Sequence, residues 1–230
     1  MKYFASIAVI VLTAFVGHSQ TYEIGGFIGG ANYIGDVGKT NYVAPNDLAF
    51  GGVFKWNRSA RHSFRGSLIV AGISGDDADS PEPRREQRGY SFKNTITELS
   101  VGLEYTFWEF NLHNGRSQAT PYLYTGLTYF GYNALYKTSS DAIVEYDKAG
   151  TMAIPMVIGY KASLGSKIIL ALEVGARYTF TDDLDGSNPV RDFADQDRLK
   201  FGNTNSDDWY VFTGVTLTFA FGRRPCYCNF

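Results

Sequence analysis

The run Glu98–Phe107 reads ELSVGLEYTF. Leu99, Val101, Leu103, Tyr105 and Phe107 alternate with Glu98, Ser100, Gly102, Glu104 and Thr106, so one face is greasy and the other is small or charged. A period of two is what a strand with two unlike faces requires. Leu170–Phe180 repeats the scheme, with Glu173, Gly175, Arg177 and Thr179 on the polar side, and Val211–Phe221 does so again. Five more such stretches lie at about 22–33, 48–57, 63–73, 120–132 and 150–162, making eight with the run at 96–107. These are close to the roughly 9–11 residues of a tilted membrane strand. No long helical periodicity competes, and no stretch after the first twenty residues is apolar enough for a membrane helix. In lipid every backbone polar group must be satisfied within the protein, so a membrane form of this chain has to be a closed barrel.

The opening MKYFASIAVIVLTAFVGHSQ has one early cation, Lys2, an apolar run from Tyr3 to Val16, then Gly17 and Ser19. This predicts a secretory signal over residues 1–19, cut before Gln20. The run is short for a spanning helix of about 20 residues, and no cysteine near the cut suggests a lipid anchor. An exported chain meets a compartment where oxidised thiols persist. Its formal charge of −2, from 21 basic and 23 acidic residues, excludes the basic footprint of a nucleic-acid binder.

The connections alternate in length. Short turns are predicted near 57–62 and 163–166, with a longer link at 109–119; the other set, at 34–47, 74–93, 133–149 and 181–208, is longer still. Short turns on one side and long loops on the other mark an outer-membrane barrel, and an even strand count puts both termini with the turns, in the periplasm. Aromatic residues gather at strand ends. Tyr22, Trp56, Phe64, Phe107, Tyr160, Phe219 and Phe221 fall on the turn side; Tyr33, Tyr129, Tyr178, Phe180 and Trp209 fall on the loop side. Two such bands suit the two interfaces of a bilayer and weigh against a soluble sandwich or lipocalin-like barrel. The expected fold is therefore all-β, an eight-stranded antiparallel transmembrane barrel of outer-membrane type over 20–221, with a periplasmic tail at 222–230. Pro155 is awkward within the sixth strand, since it removes a ladder donor and calls for a bulge.

The polar faces of these strands carry Glu23, Glu98, Glu104 and Glu173 with Lys55, Arg65, Lys161 and Arg177. An eight-stranded barrel is just wide enough for side chains to fill it, and confined charges must pair. A plugged interior laced with ion pairs follows, with no substantial pore; the competing reading is that these charges conduct ions or protons.

Chemistry is hard to find. His62 and His113 fall in turns, with no Ser/His/acid spacing around them. Asp182-Asp183-Leu184-Asp185-Gly186-Ser187-Asn188 is faintly like a calcium loop, but the bidentate Glu that an EF-hand requires at its last position would fall at Ala194. The acids Asp76, Asp77 and Asp79 and the run Arg84–Arg88 read as solvated surface. The expectation is a protein that is not an enzyme, with no catalytic, metal or cofactor set.

The only two cysteines, Cys226 and Cys228, sit in GRRPCYCNF at 222–230, behind Arg223 and Arg224. Two residues apart on an extended tail they point the same way, which strains a bridge between them. An intermolecular bond or a shared metal with a periplasmic partner is one reading, and an internal bridge the other. The runs YIGDVG (33–38), APNDLAFGGVFKWNRSARHSFR (44–65) and RGYSFKNTITELSVGLEYTFWEF (88–110), together with RRPCYC (223–228), resemble the PorG family of the type IX secretion and gliding machinery. The resemblance implies a structural subunit that ties a periplasmic ring, built from a lipoprotein and its partner, to outer-membrane lipid. The second functional class is a small transport or ligand-binding barrel; a third, a lipid-modifying enzyme, lacks a nucleophile at the rim.

Overall fold

The computed structural model describes residues 21–111, 116–138, 143–189, 193, 195–203 and 205–222. The strands are β1 (Thr21–Ile34), β2 (Asp47–Asn57), β3 (His62–Asp76), β4 (Ser91–Thr106), β5 (Ala119–Lys137), β6 (Ile143–Leu164), β7 (Ile168–Thr179) and β8 (Trp209–Gly222). Each pairs antiparallel with its sequence neighbours, and β1 closes on β8 from Thr21↔Gly222 to Ile34↔Trp209. Closure leaves no unpaired edge. One short helix, α1 (Pro83–Arg88), lies in the β3–β4 connection. Thr21 also pairs with Asn57, so the first and last strands begin and end at the short-turn end.

The pleat sends the alternating sets to opposite sides of the wall. Leu48 is 75 % exposed, Ile28 66 %, Ile158 61 % and Leu172 59 %, whereas Glu104, Glu98 and Ile69 are 0 %. A water-soluble barrel would reverse this order. The outward apolar band is flanked at the turn end by aromatic residues such as Phe64, Phe107, Tyr160 and Phe219, with Tyr22 stacked between Phe54 and Phe221 at 5.9 and 5.8 Å. Tyr129 and Phe180 are exposed at the other end, beside the edge-on pair Tyr178–Trp209 at 5.0 Å. This is a transmembrane barrel of outer-membrane type.

Four expectations need correction. Tyr33 does not belong to the loop-side aromatic band: it lies on the inward register of β1 and is 3 % exposed. Pro155 needs no bulge. The β5–β6 register is the same at Thr125↔Met156 and at Thr128↔Ala153, on either side of Pro155, and the register shift in this ladder lies at Ala134/Leu135. The region expected as a loop at 133–149 is mostly strand, because β5 and β6 run to 19 and 22 residues, about twice a membrane span. Beyond the apolar band the outward face of this hairpin meets water, and the register shift at Ala134/Leu135 leaves both of those neighbours buried, so the apolar/polar alternation that marks a strand fades while the backbone pairing continues. β8 also reaches Gly222, one residue past the expected barrel boundary. The signal segment 1–19 and the tail residues Arg223, Arg224, Cys226 and Cys228 lie outside the described residues.

Val101 faces outward in β4, opposite Gly66 on one side and Leu127 on the other. Val101→Arg places a cation in the apolar band and is expected to destabilise the barrel by about 2–4 kcal/mol, read by denaturant unfolding in lipid vesicles.

Candidate functional site: a filled lumen closed at both ends

The inner wall is built in two storeys. The storey nearer the turns holds the charges. In the β2–β3 ladder Lys55 stands directly opposite Arg65, a like-charge pair that repels unless something intervenes. Glu104 of β4 supplies it. Its carboxylate lies 2.7 Å from Lys55 Nζ, 2.7 Å from Lys161 Nζ of β6 and 3.9 Å from Arg65 Nη1. Arg65 in turn donates two parallel bonds of 2.7 Å to Glu173 of β7, the bidentate geometry that makes Arg–carboxylate pairs strong. Tyr122 of β5 donates to Glu173 at 2.5 Å. Arg177 donates to both oxygens of Glu98 at 3.1 Å, and Tyr210 adds a bond of 2.8 Å to the same carboxylate. Glu23 pairs differently: Asn57 and Thr218 donate to it, each at 2.8 Å. All eight charged side chains are 6 % exposed or less.

Rings complete the layer. Lys55 lies over the Tyr122 ring at 5.3 Å, Arg65 over Tyr124 at 4.9 Å and Arg177 over Phe212 at 4.3 Å. Two glycines make the room. A methyl at Gly159 would meet the Tyr122 ring at 2.4 Å, and one at Gly175 would meet Arg177 Nη1 at 2.5 Å. Sequence reasoning named the ions but missed Tyr122 and Tyr210. The available signal was their inward register in β5 and β8, two positions where a phenol can reach a carboxylate.

The upper storey is apolar. Phe27, Val53, Ile69, Ile73, Phe92, Ile96, Phe130 and Phe212 pack inward as one cluster, joined from above by Leu184 of the β7–β8 loop. At the turn end Phe110 tucks in to pack with Ile169 and Ala220, its ring 4.8 Å from Lys161 Nζ, and its amide donates to the Ala60 carbonyl. The bore is thus occupied along its length and covered at both mouths.

The cover at the loop end leaves Asp76 and Asp79 exposed, as expected, but overturns the reading of Asp77 as solvated surface. Asp77, Asp183 and Asp185 are 0 % exposed, and Asp208 is 1 %. Asp77 binds Arg88 through Nε at 2.6 Å and Nη2 at 2.8 Å and accepts the amides of Gly38 and Tyr90. Arg88 also donates to the Asp36 carbonyl at 2.7 Å, and Asn203 N–H to the Asp36 carboxylate at 2.6 Å. The loops after β1, β3 and β7 are therefore tied together. At their centre the Tyr33 hydroxyl lies 2.7 Å from Asp185 Oδ2 and 2.5 Å from Asp208 Oδ1, while the Asp36 amide donates to it at 3.1 Å. A phenol has one hydrogen. It cannot serve two ionised carboxylates, so a second proton resides on Asp185 or Asp208. Burial pushes both carboxyls up, and burial with the neighbouring carboxylates Asp185 and Asp36 raises Asp182 to about 7.

Little in this arrangement is set up for catalysis. Ser59 Oγ and His62 Nδ1 are 3.2 Å apart, yet that hydroxyl already accepts the amides of Arg61 and His62, as a turn serine does. Among the described residues no group of three or more His, Cys, Asp or Glu is placed to hold a metal ion. His113 lies outside the described residues.

A family profile described as "Domain of unknown function (DUF6089)" matches residues 1–230. The chain belongs to the DUF6089 family. No curated protein shows significant similarity to it. Among solved structures, this DUF6089 chain is similar to OprG of Pseudomonas aeruginosa, with 8 % identity, TM-score 0.47 and coverage of 89 % of this chain and 97 % of that one. It is also similar to Ail of Yersinia pestis, crystallised with a heparin analogue, with 7 % identity, TM-score 0.45 and coverage of 89 % and 99 %. Neisserial surface protein A gives 7 % identity, TM-score 0.45 and coverage of 88 % and 97 %. At these scores the likeness says nothing about what the DUF6089 chain does.

Two outcomes follow from the lumen and its cover. Glu104→Gln leaves three cations around a neutral amide and is expected to cost about 3–5 kcal/mol in denaturant unfolding, with part restored when Lys161→Met removes one cation. The second concerns pH. Carboxyls whose folded pKa is raised anchor the loop fully below their ordinary pKa and lose that anchoring as pH rises through the raised value. Protease cleavage within 180–208 is therefore expected to increase as pH rises from about 4 to about 8, through the value of about 7 for Asp182, and Asp182→Asn to flatten the rise.

Proposed function

We propose that this protein is a non-enzymatic outer-membrane subunit of the type IX secretion machinery, anchoring a periplasmic ring of lipoprotein and partner subunits. In this reading the turn end and both termini face the periplasm. The ring docks on the turns at 57–62, 109–119 and 163–166 and on the tail with Arg223, Arg224, Cys226 and Cys228. The observation that carries the proposal is the filled bore. A barrel whose interior is occupied by Glu104 and its cations, with Phe110 below and Leu184 above, offers its outer surfaces rather than a passage. The exposed turn end presents Arg58, Arg61, Arg116 and Lys167, with Glu109 as an acid beside Arg61 at 3.7 Å. The machinery itself is suggested by the resemblance of 33–38, 44–65, 88–110 and 223–228 to the PorG family. The test is affinity purification from detergent-solubilised envelopes with thiols blocked beforehand. The expected outcome is co-purification of the ring subunits, part of it as a species that only reductant releases and that Cys226→Ser with Cys228→Ser abolishes. A barrel recovered alone would end the proposal. The second reading, a ligand-binding barrel, is favoured by one feature of the loop end.

A further inference from the structure

Beside the cover over the lumen, a cavity of about 570 Å³ opens between the end of β5, the end of α1, Phe193 and the 196–201 segment. That is within the range of small-molecule sites. Among the described residues its lining carries four cations, Arg88, Lys137, Arg198 and Lys200, and no carboxylate. Three rings share the wall: Tyr136, Phe193 and Phe201. The cations and rings are interleaved. Arg88 lies over Phe201 at 4.9 Å, Phe201 meets Tyr90 edge-on at 4.8 Å, and Lys137 lies over Tyr90 at 5.7 Å. Tyr136 and Phe193 stack at 4.6 Å, giving a flat apolar platform on the far side.

The placement is supported from below. Asp77 fixes the Arg88 guanidinium by two bonds, and the Phe201 amide donates to the Ser187 carbonyl at 2.9 Å, tying this wall to the buried cover. Arg198 and Lys200 are steadied by short local contacts, to Gln196 at 3.1 Å and Asp197 at 3.0 Å. These leave further donors on each head group, since a guanidinium has five N–H groups and an ammonium three.

Cations that line one cavity and keep further donors beyond their own carboxylate partners suit an anion with several oxygens, such as a phosphate. Flat aromatic faces suit the C–H face of a ring. We infer that this cavity binds a phosphorylated saccharide, with Arg88, Lys137, Arg198 and Lys200 holding the phosphate and the Tyr136–Phe193 platform the sugar. The inference uses the preceding section only for its topology, which turns the loop end to the outer leaflet, where such groups occur on glycolipids and on free polysaccharide. It does not depend on the ring: binding and ring association are read in separate assays, and either can fail alone.

The test is calorimetry on the full chain in detergent. The probes are the phosphorylated core oligosaccharide of a deacylated lipopolysaccharide, the same core after phosphate removal, and the intact lipopolysaccharide. The core and the intact molecule are expected to bind alike and more weakly as salt rises. Phosphate removal is expected to weaken binding by roughly tenfold or more, as is the exposed double variant Arg198→Gln with Lys200→Gln. Retained heat-modifiable migration shows that this variant has folded. Equal affinity for the dephosphorylated core, an unchanged double variant, or no binding by the core would each overturn the inference. Binding by the intact lipopolysaccharide alone would place recognition in the acyl chains and overturn it too.

Discussion

A carboxylate removed from water has to be surrounded by its own countercharges, and the centre of this barrel is organised around that demand. The desolvation cost is several kcal/mol per ion. Glu104 meets it with three cations from three other strands, and one of these, Arg65, passes the pairing on to Glu173. The arrangement only works inward. Turned toward lipid, the same side chains would be unpaired, and turned toward water, the Leu, Ile and Phe band would be exposed. The direction in which the wall faces is therefore set by the ions as much as by the apolar band.

The two storeys divide the work of filling. Below, charge neutralisation excludes bulk water. Above, an aromatic and aliphatic cluster does so by packing, and the β7–β8 loop seats Leu184 on top of it. Of the polar groups this loop carries inward, the Asp185 carboxylate, the Asp185 carbonyl and the Leu184 carbonyl accept from Tyr33, Tyr90 and Asn94. A cover held this way is stiff in the protonation state that its phenol requires, and it frames the neighbouring basic cavity.

Much of this was legible in the chain. Period-two alternation located all eight strands, and the charges on their polar faces are the ones now found in the bore. What escaped has physical reasons. Asp185 reads as solvated surface because nothing local distinguishes an Asp in water from one that accepts the Tyr33 hydroxyl and the Ser187 amide. That burial is a property of strands more than a hundred residues apart. Tyr33 looked like an interfacial aromatic because it stands at a strand end, yet its register parity with Glu23 and Phe27 turns it inward. The far ends of β5 and β6 left little alternation to read, since their outward face is wet and the register shift at Ala134/Leu135 breaks the period. The tail thiols belong to residues on which the structure says nothing.

The connectivity of the ion network has a consequence for biogenesis. Glu104 emerges on β4 after Lys55 and Arg65, but Lys161 arrives 57 residues later and Glu173 stands 108 residues from Arg65. Until β6 is in place, a growing sheet would hold two cations, Lys55 and Arg65, around Glu104, and until β7 follows, Arg65 lacks its bidentate partner. Such an intermediate is poorly matched to hydrocarbon. Strands of this chain cannot be threaded into a membrane one hairpin at a time at little cost, so the wall has to be nearly complete, in a place where water still reaches its inner side, before it closes.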